Sequence, residues 1–308
     1  MKCRKCREAA VIEIRRHNAA FCRDCFLEHC NRQVAKAIKE HDMCLEREHI
    51  LVAISGGKDS LALWAILTDL GYATSGLYID LGIGEYSERS HKFAVDFANT
   101  RNLELKIVDL TEDAGFDVSG GARSSHRPPC SVCGISKRHW FNKVASEGGF
   151  DAIATGHNLD DESATLLGNL LHWQVEYVAR QGAVLPATND GFVRKIKPLI
   201  RLGERETAAY CVLSGIDYIV DECPMAAGNT GLAYKAALSV LEDFSPGTRQ
   251  MFLGGFLSHG RERFFGADEE VRLVSCRVCA SPTPAADDAE CAYCRLKPKS
   301  RHSGFSDG

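Results

Sequence analysis

The segment that decides the fold is a glycine-rich loop between an apolar run and a helical pattern. Residues 55–60 read Ser55-Gly56-Gly57-Lys58-Asp59-Ser60. Glycines let the backbone fold tightly around an anion, backbone N–H groups and serine hydroxyls donate hydrogen bonds to it, and a helix N-terminus adds a positive potential. We therefore predict that this loop binds phosphate, and a purely structural glycine-rich turn is the disfavoured alternative.

Around this loop, short apolar runs alternate with helical patterns. The predicted strands cover residues 50–54, 75–79, 105–108, 151–155 and 217–220. The predicted helices cover residues 34–47, 61–70, 87–101, 135–147, 161–171 and 203–214. This alternation predicts an α/β fold with a doubly wound parallel sheet. Because ligands bind beyond the carboxyl ends of the strands in such sheets, the loop and two further motifs are expected on one rim.

The second motif on that rim is a cysteine pair, Cys130 and Cys133, at the start of the predicted helix that carries Lys137. The helix N-terminus and nearby basic side chains favour reactive or metal-binding thiolates. Cys223 follows the predicted strand 217–220, so the three thiols are expected to meet. Three thiolates can hold a [4Fe–4S] cluster with one iron left open to carry sulfide. The alternatives are a dithiol that cycles through a disulfide or persulfide, and an inert Cys223.

The third motif follows the predicted strand 151–155 and opens another helix. It reads Gly156-His157-Asn158-Leu159-Asp160-Asp161-Glu162. Small residues allow a nucleotide to approach closely, and the carboxylates can hold Mg²⁺ or orient a substrate. An acidic first turn that only complements the helix dipole is the alternative. Beside a phosphate-binding loop, the binding interpretation is favoured.

Both ends of the chain carry two Cys-x-x-Cys pairs. The cysteines of these pairs are Cys3, Cys6, Cys22 and Cys25 at one end, and Cys276, Cys279, Cys291 and Cys294 at the other. Four thiolates at such spacings are typical of a zinc ribbon that holds one tetrahedral Zn²⁺, with free surface thiols as the alternative. The cysteines on predicted helices that have no partners, and are expected to be inert, are Cys30, Cys44 and Cys211.

The predicted domains follow from these patterns. A zinc ribbon is expected at residues 1–30, a catalytic domain with a linking helix at 31–271, a second ribbon at 272–297 and a disordered tail at 298–308. Lys and Arg outnumber Asp and Glu 11 to 8 in residues 1–48 and 6 to 4 in residues 272–308, but number 20 against 29 in between. Basic ends suit a polyanion, although charge alone leaves RNA binding undecided.

The composition of the chain indicates the size of its core and its cellular compartment. The 308 residues are 45% hydrophobic and 25% charged, which suffices for one sizeable core. We find no apolar signal stretch at the N-terminus and no run near the ~18 apolar residues that a membrane span requires. A cytoplasmic protein without a membrane partner is therefore expected. In that compartment metal or redox chemistry accounts for fourteen cysteines better than disulfides do.

Taken together, these motifs resemble the two-thiouridine synthetase family of tRNA-modifying PP-loop ATP pyrophosphatases. The resemblance is to the group with two zinc ribbons, which includes bacterial and archaeal thiouridine synthetases and the eukaryotic cytosolic thiouridylase. It runs through the Cys-rich ends, the loop 55–60, the cysteines at 130–133, the stretches 156–161 and 194–206, and Cys223-Pro224. It implies ATP and Mg²⁺ at the PP-loop, a [4Fe–4S] cluster, two structural Zn²⁺, a tRNA substrate and a ubiquitin-like sulfur carrier protein with a C-terminal thiocarboxylate. Whether the chain forms a homodimer is left open.

The resemblance also implies roles for single residues. Those that it places at ATP are Ala53, Ser55, Gly56, Gly57, Lys58, Asp59, Ser60, Asp80, Gly156, His157 and Asn158. Those that it makes catalytic are Cys130, Cys133, Cys223, Lys137 and Asp161. The segment 225–230 is less basic than the family pattern leads us to expect, which puts RNA contact at that edge in doubt.

The implied reaction has two steps, adenylation of a uridine and replacement of its oxygen by sulfur. The uridine O2 attacks the α-phosphate of ATP, and pyrophosphate leaves into the cradle while Mg²⁺, Lys58 and Lys137 offset the developing charge. Sulfide at the open iron then attacks C2 and expels AMP. The alternatives are another PP-loop tRNA modifier, such as a cytidine 2-thiolase that uses a Cys persulfide or a lysidine synthetase, and a non-enzymatic zinc-ribbon RNA-binding protein.

Overall fold

The computed structural model describes residues 1–226, 230–260, 273–285 and 288–297. Its strands are β1 (Ile12–Ile14), β2 (Ala19–Phe21), β3 (His49–Ile54), β4 (Ala73–Asp80), β5 (Leu105–Asp109), β6 (Ala152–Ala154), β7 (Val184–Leu185), β8 (Arg194–Ile196), β9 (Leu273–Ser275) and β10 (Pro282–Pro284). Its helices are α1 (Arg23–Glu40), α2 (Lys58–Asp69), α3 (Gly84–Arg101), α4 (Leu110–Ala114), α5 (Val118–Ser125), α6 (Pro129–Glu147), α7 (Leu159–Leu171), α8 (Val175–Arg180), α9 (Glu204–Ser214), α10 (Thr230–Phe244) and α11 (Thr248–Gly255).

A six-stranded sheet with the order β5-β4-β3-β6-β8-β7 forms the centre of the molecule. All neighbouring strands in it run parallel except β7, which pairs antiparallel with β8 at one edge. The chain adds β4 and β5 on one side of β3, then returns to place β6 and β8 on the other side. The strand order therefore reverses between β3 and β6, and this switch point is where open α/β sheets bind ligands. The predicted doubly wound α/β fold is confirmed.

The central strand β3 is apolar because both of its faces are covered. Ile50, Val52 and Ile54 pack into the layer that contains α1 and α2. Leu51 points to the opposite layer, which contains α6 and the C-terminal cysteine module. A strand buried on both faces reads as a continuous hydrophobic run rather than an alternating one.

Two predicted elements are wrong. Residues 217–220 form no strand, because the backbone N–H of Ile219 donates to the carbonyl of Gly56 at 3.0 Å instead of to a strand. The helix predicted at 34–47 is the end of α1, which begins at Arg23 and ends at Glu40. Asp42, in the left-handed conformation with φ of 47°, follows this end. Cys44 consequently lies in a loop and not on a helix.

Small modules occupy the two ends of the described chain. The hairpin of β1 and β2 together with the start of α1 carries the N-terminal cysteines, and the hairpin of β9 and β10 with the following turn carries the C-terminal ones. The predicted boundary at residue 30 lies within α1, so one helix runs from the N-terminal module into the α/β layer. The tail predicted at 298–308 lies outside the described residues. Among the described residues, no helix is long and apolar enough to span a membrane.

Candidate active site at the switch point

The loop after β3 is built so that its backbone stays open to an anion. Gly56 has φ of 71°, and a Cβ atom there would stand 2.3 Å from the carbonyl oxygen of Ser90, so only glycine fits. The Ser60 hydroxyl braces the loop, accepting from the N–H of Ser55 at 3.1 Å and donating to the carbonyl of Gly57 at 2.9 Å. No side chain caps the N-terminus of α2. Its first N–H groups therefore face the space that a phosphate would fill.

Lys58 and Asp59 are oriented by polar partners from two other elements. The amine of Lys58 lies 3.0 Å from Asp59 Oδ2 and 2.8 Å from Glu204 Oε1 at the start of α9. These two carboxylates outweigh partial burial and raise the pKa of Lys58. The other oxygen of Asp59 accepts from the hydroxyl of Thr207 and, at 3.1 Å, from the amide of Asn158. Both side chains of the loop are thus fixed before any ligand binds.

The motif after β6 touches the loop after β3. Gly156 lies so close to α2 that a Cβ atom would stand 3.0 Å from the backbone of Asp59 and of Ser60. Asn158 caps α7 by accepting from the N–H groups of Asp160 and Asp161, and Asp161 Oδ2 accepts from the N–H of Asn158 at 3.1 Å. This reciprocal capping box orients the Asn158 amide toward Asp59. The first and third motifs thus form one site.

The three acidic residues that open α7 have separate partners. Asp160 is buried and paired with Arg249, and its Oδ2 accepts from the N–H of Glu204 at 2.8 Å. Asp161 Oδ1 lies 2.5 Å from the amine of Lys235. Glu162 is buried and lies 2.8 Å from the amine of Lys197. Burial and pairing of Asp160 and Glu162 disfavour the alternative of a solvated first turn that only complements the helix dipole.

Three further residues assigned to ATP lie around this centre. Ala53 is in β3, where it pairs with Leu77 of β4. Asp80 ends β4, and its Oδ1 accepts from the N–H of Gly82 at 2.9 Å, which shapes the next turn on the rim. His157 is half exposed beside the loop, with Nδ1 3.2 Å from the hydroxyl of Thr155.

The central cysteines lie next to the same rim. Cys130 and Cys133 are in the first turn of α6, which starts six residues earlier than predicted because Pro129 suits its first position. The thiol of Cys130 donates to the carbonyl of Met225 at 3.2 Å, which holds the chain that follows Cys223 against α6. Burial, together with the thiols of Cys223 and Cys133, raises the pKa of Tyr86, and all three side chains pack against the same apolar cluster.

The three central thiols do not form a compact set of ligands for a single ion. In the part of the chain that the structure describes, the sets of metal-binding atoms within 4.8 Å of one another are the two terminal cysteine sets. Cys130, Cys133 and Cys223 are therefore spread more widely than the ligands of a single ion. A cluster of several irons has more widely spaced thiolates than a single ion, so its ligands need not lie within that limit. Lys137 lies one turn beyond Cys133, on the helix that carries the pair.

The terminal cysteine sets have the size of a tetrahedral zinc site. A Zn–S bond of about 2.3 Å places tetrahedral sulfur atoms roughly 3.8 Å apart. The sulfur atoms of Cys6 and Cys22 are 3.4 Å apart, those of Cys276 and Cys294 are 3.9 Å apart, and those of Cys279 and Cys291 are 3.6 Å apart. Five of the eight side chains are also buried, which disfavours the alternative of free surface thiols.

Backbone groups prepare two of these thiols for metal binding. Although burial opposes ionisation, N–H groups that include those of Cys291 and Val278 lower the pKa of Cys276 to about 6. In the N-terminal set, backbone N–H groups likewise overcome burial and lower the pKa of Cys3 to about 6. In the same sets, burial and the neighbouring thiols raise the pKa of Cys25 to about 12 and that of Cys294 well above its usual range, so without a metal each set ionises at one thiol first.

The cysteines expected to be inert have high thiol pKa values. Burial raises the pKa of Cys211 to about 12, and its sulfur donates to the carbonyl of Lys58 at 3.3 Å behind the loop. Burial likewise raises the pKa of Cys44 to about 11 and that of Cys30 well above its usual range. A protonated, buried thiol is a poor nucleophile and ligand.

Comparison with known proteins assigns the family. A family model described as the N-terminal LIM domain of the 2-thiouridine synthetase TtuA matches residues 2–27, and a PP-loop domain model matches residues 26–228. The chain is 48% identical, over 96% of its length and 91% of the relative, to the tRNA-5-methyluridine(54) 2-sulfurtransferase of Thermus thermophilus. The chain belongs to the 2-thiouridine synthetase family of PP-loop proteins. The resemblance identified in the sequence is thereby confirmed.

A second relative and a solved structure support the same family assignment. The chain is 41% identical to the enzyme of the same name from Pyrococcus horikoshii, over 96% of this chain and 94% of that one. Among solved structures, it resembles the U34-tRNA thiolase NcsA from Methanococcus maripaludis with its [4Fe-4S] cluster. That likeness has a TM-score of 0.81 and 26% identity, and covers 96% of this chain and 95% of that chain.

The site of this 2-thiouridine synthetase family member also contains residues that the motifs did not single out. They are Glu204 and Thr207 from α9, Lys235 from α10 and Arg249 from α11. Glu204 lies in the stretch 194–206, which is part of the family resemblance, but the sequence motifs predict no role for its carboxylate. Lys235 is the lone Lys or Arg in the otherwise largely apolar helix 230–244, which is a sequence signal for a partnered charge.

Proposed function

We propose that the protein is an ATP-dependent tRNA uridine 2-sulfurtransferase that acts on 5-methyluridine at position 54. The observation that carries the proposal is the hydrogen bond of 3.0 Å from Ile219 N–H to the Gly56 carbonyl. It joins the phosphate-binding loop to the segment that leads into Cys223, which supports a nucleotide and the three central thiols on one rim. Relatives named for position 54 are 39–48% identical to the chain, whereas the position-34 thiolase structure is 26% identical.

The chain's own groups suit the first step, in which uridine O2 attacks the α-phosphate and pyrophosphate leaves. The open N–H groups of α2, with Lys58, would bind the departing pyrophosphate and offset its charge. Asp59 and Asp161 would supply oxygen ligands for Mg²⁺, which prefers carboxylates together with substrate phosphates. Gly156 would hold the end of β6 close to the phosphate-binding loop, since its backbone packs directly on α2.

In the second step sulfide attacks C2 of the uridine, and AMP leaves with the former carbonyl oxygen. Cys130, Cys133 and Cys223 would hold the [4Fe–4S] cluster, which when bound supplies an iron with an open position for sulfide. Lys137, on the helix of the cysteine pair, would offset charge on the departing AMP. The family resemblance adds a ubiquitin-like carrier with a C-terminal thiocarboxylate as the sulfur source, and a cytoplasmic setting.

Two structural zinc ions complete the proposal, one in each terminal cysteine set. Sulfur–sulfur distances between 3.4 and 3.9 Å and the lowered pKa values of Cys3 and Cys276 support it. These ions would contribute to folding rather than to chemistry, because four protein ligands leave no open position.

The experiment combines anaerobically reconstituted protein with ATP, sulfide and unthiolated tRNA, and analyses the digested RNA by mass spectrometry. We expect 5-methyl-2-thiouridine at position 54, together with AMP and pyrophosphate in equal amounts. A tRNA in which position 54 is cytidine should remain unmodified, whereas one altered at position 34 should react normally. Thiolation of cytidine, or product without AMP, would overturn the proposal and support the persulfide-dependent alternative.

A further inference from the structure

A second lysine reaches the nucleotide site from outside the PP-loop domain. Lys235 lies in α10, beyond residues 26–228 that the PP-loop domain model matches. Its amine is 2.5 Å from Asp161 Oδ1 and 3.3 Å from Glu204 Oε2. The amine of Lys58 lies 2.8 Å from the other oxygen of Glu204. One carboxylate is therefore flanked by the lysine of the loop and the lysine of α10, so both amines border the same space.

The neighbouring cation, Arg249, differs from Lys235 in what it holds. Arg249 pairs with the buried Asp160 and donates to the hydroxyl of Ser239 at 2.7 Å, so its guanidinium ties α11 to α7 and α10. Its side chain is 17% exposed and that of Asp160 9%. The side chain of Lys235 is 26% exposed and that of Asp161 24%. Arg249 is thus part of the packing, while the Lys235 side chain is more exposed to solvent.

The carboxylates around the two lysines would repel a bound polyphosphate unless a second cation offset their charge. Asp59, Asp161 and Glu204 are acidic, and the charge of Lys58 is already shared between two of them. Like charges without compensation would repel the phosphates. A lysine ammonium on a flexible stem can exchange a carboxylate partner for a phosphate without movement of the backbone.

We propose that Lys235 is a second phosphate ligand of the site, which binds the pyrophosphate portion of ATP together with Lys58. The helix α10 is then a functional part of the nucleotide site and not only a cover for α7. This inference rests on the proposed function, since it takes ATP as the nucleotide. Its chemistry predicts that the contribution of Lys235 depends on the β- and γ-phosphates and is small for a ligand that lacks them.

The test compares three ligands on matched variants of the full chain by isothermal titration calorimetry with Mg²⁺ present. ATP, pyrophosphate and AMP are titrated into the wild type, Lys235→Met, Lys235→Arg and Lys106→Met. Lys106 is a suitable control because its amine pairs with Glu104 at the surface. We expect Lys235→Met to weaken ATP and pyrophosphate binding at least tenfold, roughly the effect of losing a charge-assisted contact. AMP binding should change little, Lys235→Arg should recover part of the loss, and Lys106→Met should match the wild type.

Two results would overturn the inference. One is unchanged pyrophosphate affinity in Lys235→Met, and the other is an equal loss for AMP and pyrophosphate, which would indicate a merely structural role. Thermal unfolding of each variant checks that the fold is intact, and Lys235→Gln serves if the methionine variant does not fold. A wild type that binds pyrophosphate but not ATP would refute the proposed function while the pyrophosphate titration still tests Lys235.

Discussion

At the scale of single residues, the charge of Asp59 is the feature that the site depends on most directly. Its Oδ1 accepts from Asn158 and Thr207, and its Oδ2 faces the Lys58 amine. Asp59→Asn would keep the size but turn an amide N–H₂ toward that amine. We expect AMP formation with tRNA to fall on the order of 100-fold, as when one preorganised charge is removed. Asp243→Asn, at an exposed site, should retain full activity in the same assay.

Two cysteines close to the site allow a second test at this scale, because only one is proposed to bind iron. Cys223→Ala should lose the brown absorption and most of the iron of the reconstituted protein. Cys211→Ala should keep both, since that thiol is buried behind the loop with its pKa raised to about 12. If iron and activity persist in Cys223→Ala, the three-cysteine site is excluded and a two-cysteine persulfide relay takes its place.

At the scale of elements, local patterns predicted the strand–loop–helix units but not the contacts between them. The loop after β3 and the cap of α7 depend on residues close in sequence, so the motifs alone located them. Residues 217–220 read as a strand because they are locally extended and apolar, yet their backbone partner, Gly56, lies far away in the chain. Lys235 and Arg249 meet the site only through the packing of α10 and α11 on α7, which no spacing encodes.

The cap of α7 has a measurable role, since Asn158 both starts the helix and orients Asp59. Asn158→Ala removes the acceptor for two N–H groups, so we expect a loss of about 1 kcal/mol in the free energy of unfolding. Urea denaturation measures this loss. Asn99→Ala, at an exposed position within α3, should be neutral or slightly stabilising, because alanine has the higher helix propensity. A smaller effect at Asn158 than at Asn99 would contradict the capping role.

At the scale of the whole molecule, the C-terminal cysteine module is joined to the helix that carries the central cysteines. Tyr293 lies between two ligand cysteines, stacks on His139 with ring centres 3.8 Å apart, and accepts from the indole of Trp140 at 2.8 Å. The hydroxyl of Ser124 in α5 donates to the carbonyl of Leu296 at 2.8 Å. The C-terminal cysteine module therefore packs directly on α6 and α5.

The N-terminal module has a different neighbour, because Arg16 forms a buried ion pair of 2.5 Å with Glu206 of α9. Cys276→Ser should release about one zinc and speed amide hydrogen exchange in α6, since metal binding energy is also folding energy. Cys3→Ser should release the other zinc and speed exchange in α1 and α9 instead. Metal analysis and hydrogen-exchange mass spectrometry of both variants separate the two effects. Retention of two zinc ions, or the same exchange pattern in both variants, would show that the modules do not support different parts of the site.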